Sequence, residues 1–181
     1  MASKQLKYAA AGIGAVVVVI VVVLAVVLSS TSPHVAFPST SQVDSTTGYN
    51  NYTASSVLSE NASQANAPPG TVKFYGKFFN NSAGSIEFVI VQFKSSSAAG
   101  KEFSNITRLL SGNFLVKASN LSYRGASVRI VRIGSSSAEA IGYIGVYIFG
   151  VVFYNNSGYG NIQSTGKMTS LVELQINVML G

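Results

Sequence analysis

The chain has 181 residues, 48% of them hydrophobic and only 10% charged, with twelve Lys and Arg against six Asp and Glu for a net charge of +6. It holds no cysteine and no tryptophan, which excludes disulfide staples, thiolate metal sites and cysteine nucleophiles. The basic residues are spread along the chain instead of clustering with aromatics, so no nucleic-acid partner is expected.

Residues 1–8 form a short N-terminus bearing Lys4 and Lys7, followed by an uninterrupted apolar run over residues 9–28, AAAGIGAVVVVIVVVLAVVL. At about 1.5 Å rise per residue this run is roughly 30 Å long, the thickness of a bilayer's hydrocarbon core. In lipid the backbone must satisfy its own hydrogen bonds, so the many valines are expected in a transmembrane helix despite their strand preference in water. After Lys7 no basic residue appears until Lys73, and this bias places the N-terminus in the cytoplasm and the rest outside. The run exceeds the roughly 7–15 apolar residues of a cleaved secretory signal, which favours an uncleaved signal anchor in a single-pass membrane protein. A prepilin-like leader is the third reading; Lys7-Tyr8-Ala9 matches its cleavage site poorly, and Pro33 and Pro38 stop the helix soon after the membrane.

Residues 29–70 are rich in Ser, Thr, Asn and Ala, contain Pro33, Pro38, Pro68 and Pro69, and lack apolar periodicity. They are expected to form an extended stalk, with a short element near Tyr52–Leu58 as the candidate to dock on the domain. The folded domain is expected over residues 71–181. Val72–Phe79 and Ile86–Lys94 are β-branched and aromatic runs joined by Asn80-Asn81-Ser82-Ala83-Gly84, the pattern of a hairpin. Ala99, Phe103, Ile106 and Leu110 then fall on one helical face, with Lys101, Asn105 and Arg108 on the other; Ser95–Ser97 offer an N-cap and Gly112 a stop.

Phe114–Ala118, Ser127–Ile133 and the uncharged run Ala140–Tyr154 read as further strands, with turns near Arg124-Gly125 and Gly134-Ser135 and a bend or break near Gly150. Residues 171–180 carry both templates. Val172–Val178 alternates like a strand, while Ser170-x-x-Glu173 has capping-box spacing and a polar helical stripe runs from Gly166 to Asn177. The helix is preferred. The expected class is α+β, a small antiparallel sheet with about two helices on one face in the order β-β-α-β-β-α.

Six Asn-x-Ser/Thr sequons begin at Asn51, Asn61, Asn80, Asn105, Asn120 and Asn155, and with an outward domain these are the expected N-glycan acceptors. No catalytic, cofactor-binding or metal-ligating residue is expected. Ser164-Thr165-Gly166-Lys167 has the S-x-x-K spacing of penicillin-recognising enzymes but no companion motif, and Gly160–Lys167 fails as a phosphate loop because Met168 stands where Ser or Thr is required. His34 is the sole histidine and lies in the stalk. The domain's glutamates, Glu87, Glu139, Glu102 and Glu173, lie on separate elements, and the nine tyrosines are expected mainly in the core and on sheet faces. Arg129 and Arg132 point to opposite faces of their strand and are expected to be solvated.

The lysine-bearing N-terminus, the span AAGIGAVVVVIVVVLAVVL, the Ser/Thr/Asn stalk, the six sequons and the charge-poor, cysteine-free domain resemble the single-pass, glycosylated surface proteins of thermoacidophilic archaea. The resemblance implies a cell-surface glycoprotein of the archaeal envelope facing an acidic exterior, and it carries over no catalytic residue. The functional expectation is a non-enzymatic extracellular binding or structural protein, an accessory subunit of an envelope or membrane complex, with the bilayer and a protein as partners. The alternatives are a pilin-like filament subunit and an extracellular hydrolase using glutamate or serine chemistry.

Overall fold

The computed structural model describes residues 32–63, 67–82, 84–111, 116–133, 137–155 and 165–181. The expected transmembrane helix at 9–28 lies outside the described residues, and none of the described helices is long and apolar enough to cross a membrane. Pro33 to Met179 form one compact unit. In chain order the elements are α1 (Thr40–Thr47), β1 (Thr53–Ala54), β2 (Leu58–Asn61), β3 (Thr71–Asn81), β4 (Gly84–Phe93), α2 (Ser96–Ser111), β5 (Val116–Tyr123), β6 (Ala126–Ile133), β7 (Ser137–Ile144), β8 (Tyr147–Asn155) and α3 (Thr165–Leu180).

The eight strands make one antiparallel sheet in the order β1-β3-β4-β8-β7-β6-β5, with β2 also paired to β3. The fold is α+β, as expected, but the strand count after α2 is four, so the core order is β-β-α-β-β-β-β-α. One of the two additional strands arises within the run Ala140–Tyr154. This run folds back on itself between Ile144 and Tyr147, where Gly145 adopts φ 57°, and Ile144 pairs with Tyr147 across that turn. Gly150, the expected break, sits inside β8 opposite both Val89 and Ile141. The turn at Arg124-Gly125 is confirmed, with φ values of 46° and 82° that suit a two-residue hairpin turn of the mirror-image type.

The central strands are apolar on both faces, and this dictates three layers. On one face Ile86, Phe88 and Ile90 of β4 and Phe149, Val151 and Phe153 of β8 are fully buried. Phe79 of β3 meets Phe88 edge-on at 5.6 Å. Each such side chain contributes roughly 1.5–3 kcal/mol on leaving water. This face is closed by α1 and α3: Tyr123 donates to Asn177 Oδ1 (3.3 Å) and Lys77 Nζ to the Pro38 carbonyl (2.9 Å). On the opposite face Val91, Phe93, Ile141 and Ile148 pack against Ala98, Ala99, Phe103, Ile106 and Leu110 of α2. The two long helices therefore lie on opposite faces instead of sharing one, because a single layer would leave half the apolar sheet in water.

The C-terminal segment is a helix. It buries Met168, Leu171, Val172, Gln175, Ile176 and Met179, a spacing of 3 and 1 that only a helical face produces. Ser170 is no cap: it lies within α3 and its hydroxyl donates to the Gly166 carbonyl at 3.1 Å.

The stretch expected as a stalk carries much of this structure. Ser39 caps α1 in a reciprocal box with Gln42, Gly48 ends the helix at φ 72°, and Val43 and Thr47 are buried. β1 and β2 extend the sheet edge at β3, and Gln175 Nε2 donates to the Ala36 carbonyl at 2.9 Å. Pro68-Pro69-Gly70 forms a turn into β3, with Gly70 at φ 87° and Thr71 N–H bonded to the Pro68 carbonyl at 3.1 Å. Polar composition misleads here because docking against the existing sheet supplies the burial that these residues cannot provide alone.

Candidate functional site: a groove between α2 and the β5–β6 hairpin

α2 crosses the sheet face and leaves an open groove of about 720 Å³ beside β5 and β6. Its walls follow from local periodicity. Phe103, Ser104, Thr107 and Arg108 come from successive turns of the helix, which brings residues three and four apart onto one side. Asn120 and Ser122 alternate along β5, as do Ser127 and Arg129 along β6, so each pair faces the same way. The tight Arg124-Gly125 turn sets the register, placing Asn120 opposite Arg129 and Ser122 opposite Ser127.

Arg129 Nη1 donates to Asn120 Oδ1 at 2.9 Å, which aims the guanidinium. Ser104 donates its hydroxyl proton back to the Gly100 carbonyl at 2.9 Å, so toward the groove it presents lone pairs. Phe103 stacks on Tyr143 with centroids 5.9 Å apart, and the Tyr143 hydroxyl donates to the Ser96 carbonyl at 3.2 Å. Ser95 caps the helix through the Ala98 N–H at 3.2 Å, as expected for the serine run. The groove lining carries two arginines and no acid.

Sequence reasoning missed this site by treating the cations as scattered over a solvated surface. Arg108 and Arg129 are twenty-one positions apart and meet only because α2 and the hairpin close on each other. The available signal was the hairpin itself: folding the chain at Arg124-Gly125 pairs Asn120 with Arg129 on paper.

Two glutamates come together elsewhere on the same sheet face. Glu87 and Glu139 both pair with Val152 from opposite sides, two strand spacings or roughly 9–10 Å apart at the backbone. Burial raises both carboxyls, and the charge of Glu87 adds to the rise at Glu139. Glu87 also borders a smaller cleft of about 180 Å³ with Leu58, Glu60, Phe74, Phe78 and Val89. Glu102 instead accepts from Asn105 Nδ2 at 3.3 Å on α2.

Lys167 Nζ donates to the Thr47 carbonyl at 2.8 Å and lies 4.8 Å from the Tyr49 ring centre, tying α3 to the end of α1. Its expected companion Ser164 lies outside the described residues, as does Tyr159. His34 is exposed, and its backbone N–H bonds to the Met179 carbonyl at 2.9 Å. Among the described residues no three His, Asp or Glu side chains converge in a metal-binding group.

The sequon asparagines are dispersed. Asn51, Asn61, Asn80 and Asn120 are exposed, Asn105 is half-buried, and the Asn155 side chain lies outside the description. Asn120 is set apart because its amide is already engaged with Arg129 in the groove.

No protein-family model matches the sequence, and neither does any curated protein. Among solved structures the chain is similar to the extracellular domain of PknH from Mycobacterium tuberculosis, with a TM-score of 0.53 and 7% sequence identity over 82% of this chain and 98% of that one. At this identity the likeness is one of fold.

Proposed function

We propose that the chain is a membrane-anchored, outward-facing binding protein whose domain seats a component of the cell envelope in the groove between α2 and the β5–β6 hairpin. The observation that carries this reading is the groove itself, an open site of about 720 Å³ with polar walls from three elements and an arginine on each side. Its size falls in the range of ligand sites, and its donor set binds without offering a nucleophile paired to a base. The apolar run at 9–28 supports the anchor, and the lysine bias supports the outward orientation. The fold shared with an extracellular domain is consistent with that placement.

The absence of native cysteine makes the test direct. Ser122→Cys in the groove and Ser59→Cys on β2 are each expressed in the full chain and treated on intact cells with a membrane-impermeant maleimide. Both are expected to label from outside, and added envelope extract is expected to slow labelling at position 122 only. Labelling that requires lysis overturns the orientation, and equal or absent protection at the two positions overturns the groove.

A further inference from the structure

We infer that the groove's ligand is an acidic oligosaccharide, an inference that rests on the binding role proposed for this site. Arg129, whose Nη1 donates to Asn120 Oδ1 at 2.9 Å, and Arg108 from the facing helix place two guanidinium charges along the groove, which favours an anionic ligand. Ser104 asks for the opposite partner. Its proton is committed to the Gly100 carbonyl at 2.9 Å, so a ligand must offer it an O–H or N–H donor. A ligand therefore has to carry negative charge and hydroxyl donors together, which a bare sulfate dianion does not.

Size and shape agree with this chemistry. A groove of about 720 Å³ is far larger than an inorganic anion and matches a few linked sugar rings. Phe103, fixed by its stack on Tyr143 at 5.9 Å, supplies an apolar wall for the C–H face of a ring, while Ser122 and Ser127 line the opposite side with hydroxyls. An acidic peptide would add along the free edge of β5, the last strand of the sheet, whereas Asn120 and Ser122 line the groove from the sheet's face; that occupant becomes an arm of the test.

The experiment is titration calorimetry of the detergent-solubilised full chain with trigalacturonate, neutral galactotriose, inorganic sulfate and a tetraglutamate peptide, repeated on Arg108→Glu. Arg108 is exposed on the helix, so this variant is expected to keep the wild-type unfolding midpoint. Trigalacturonate is expected to bind about tenfold or more tightly than each other probe, and Arg108→Glu to weaken it by a similar factor. Equal affinity for galactotriose or for sulfate overturns the inference, as does unaltered trigalacturonate binding by the variant. Tetraglutamate binding that Arg108→Glu abolishes, with no trigalacturonate binding, overturns the saccharide but leaves the groove as a ligand seat. If no probe binds while envelope extract still protects position 122, the saccharide falls and the broader binding role stands.

Discussion

Gly142 of β7 faces Phe149 of β8 across the ladder, and a Cβ there would lie 2.0 Å from Phe149 Cζ, far inside van der Waals contact. The ring is fully buried and has nowhere to retreat. Gly142→Ala is therefore expected to destabilise the domain by about 1–3 kcal/mol or more, read as a lower denaturant midpoint with an unchanged slope. Glu139 tests the same neighbourhood through pH. Burial, then the Glu87 charge, raises its carboxyl above the ordinary 4.5, so as pH rises the unfolded chain releases this proton before the folded one does. The stabilising effect is full below the ordinary value and is lost as pH climbs through the raised one. Glu139→Gln is expected to raise the melting midpoint at pH 7 and to converge with the parent near pH 4; parallel curves would sink the assignment.

At the scale of elements, α1 has little helix propensity of its own: eight residues, Thr40–Thr47, fall well below the length at which isolated helices persist. It is held by its ends and by two long-range lysine bonds, Lys77 to the Pro38 carbonyl at 2.9 Å and Lys167 to the Thr47 carbonyl at 2.8 Å. Ser39→Ala removes the reciprocal cap with Gln42 and is expected to cost about 1 kcal/mol, seen as faster amide exchange over 40–47 while β4 and β8 stay protected. The signal for this helix, Ser39-x-x-Gln42, was present in a stretch whose composition argued against any structure. α2 is the contrary case, since its apolar face, its serine cap and its amphipathic period were all legible and all hold.

Over the whole molecule, the sheet works as a partition between two unlike layers. The side under α1 and α3 is a closed core, and Leu171→Ala in α3 is expected to cost about 2–5 kcal/mol because that side chain is fully buried. The side under α2 is only partly covered, and the uncovered parts hold the groove and the glutamate pair. Leu171→Ala should thus lower global stability while leaving groove affinity per folded molecule unchanged, and Arg108→Glu should do the reverse. Calorimetric affinity and denaturant midpoint, measured on both variants, separate the two layers.

Taken alone, the amino-acid order determined the α+β class, the antiparallel pairing, the first hairpin, the second helix and the turn at Arg124-Gly125. Those features rest on contacts between near neighbours, where a two-residue or 3.6-residue period states which side chains need burial. Only the tertiary structure decided whether residues 171–180 become helix or strand, since both patterns bury apolar residues and the choice depends on the surface waiting for them. The same holds for residues 33–70, whose sparse apolar groups become sufficient once β3 offers an edge and α3 a neighbour. The groove belongs wholly to this second class: its arginines lie on different elements, and only closure of a helix over a hairpin brings their charge into one place.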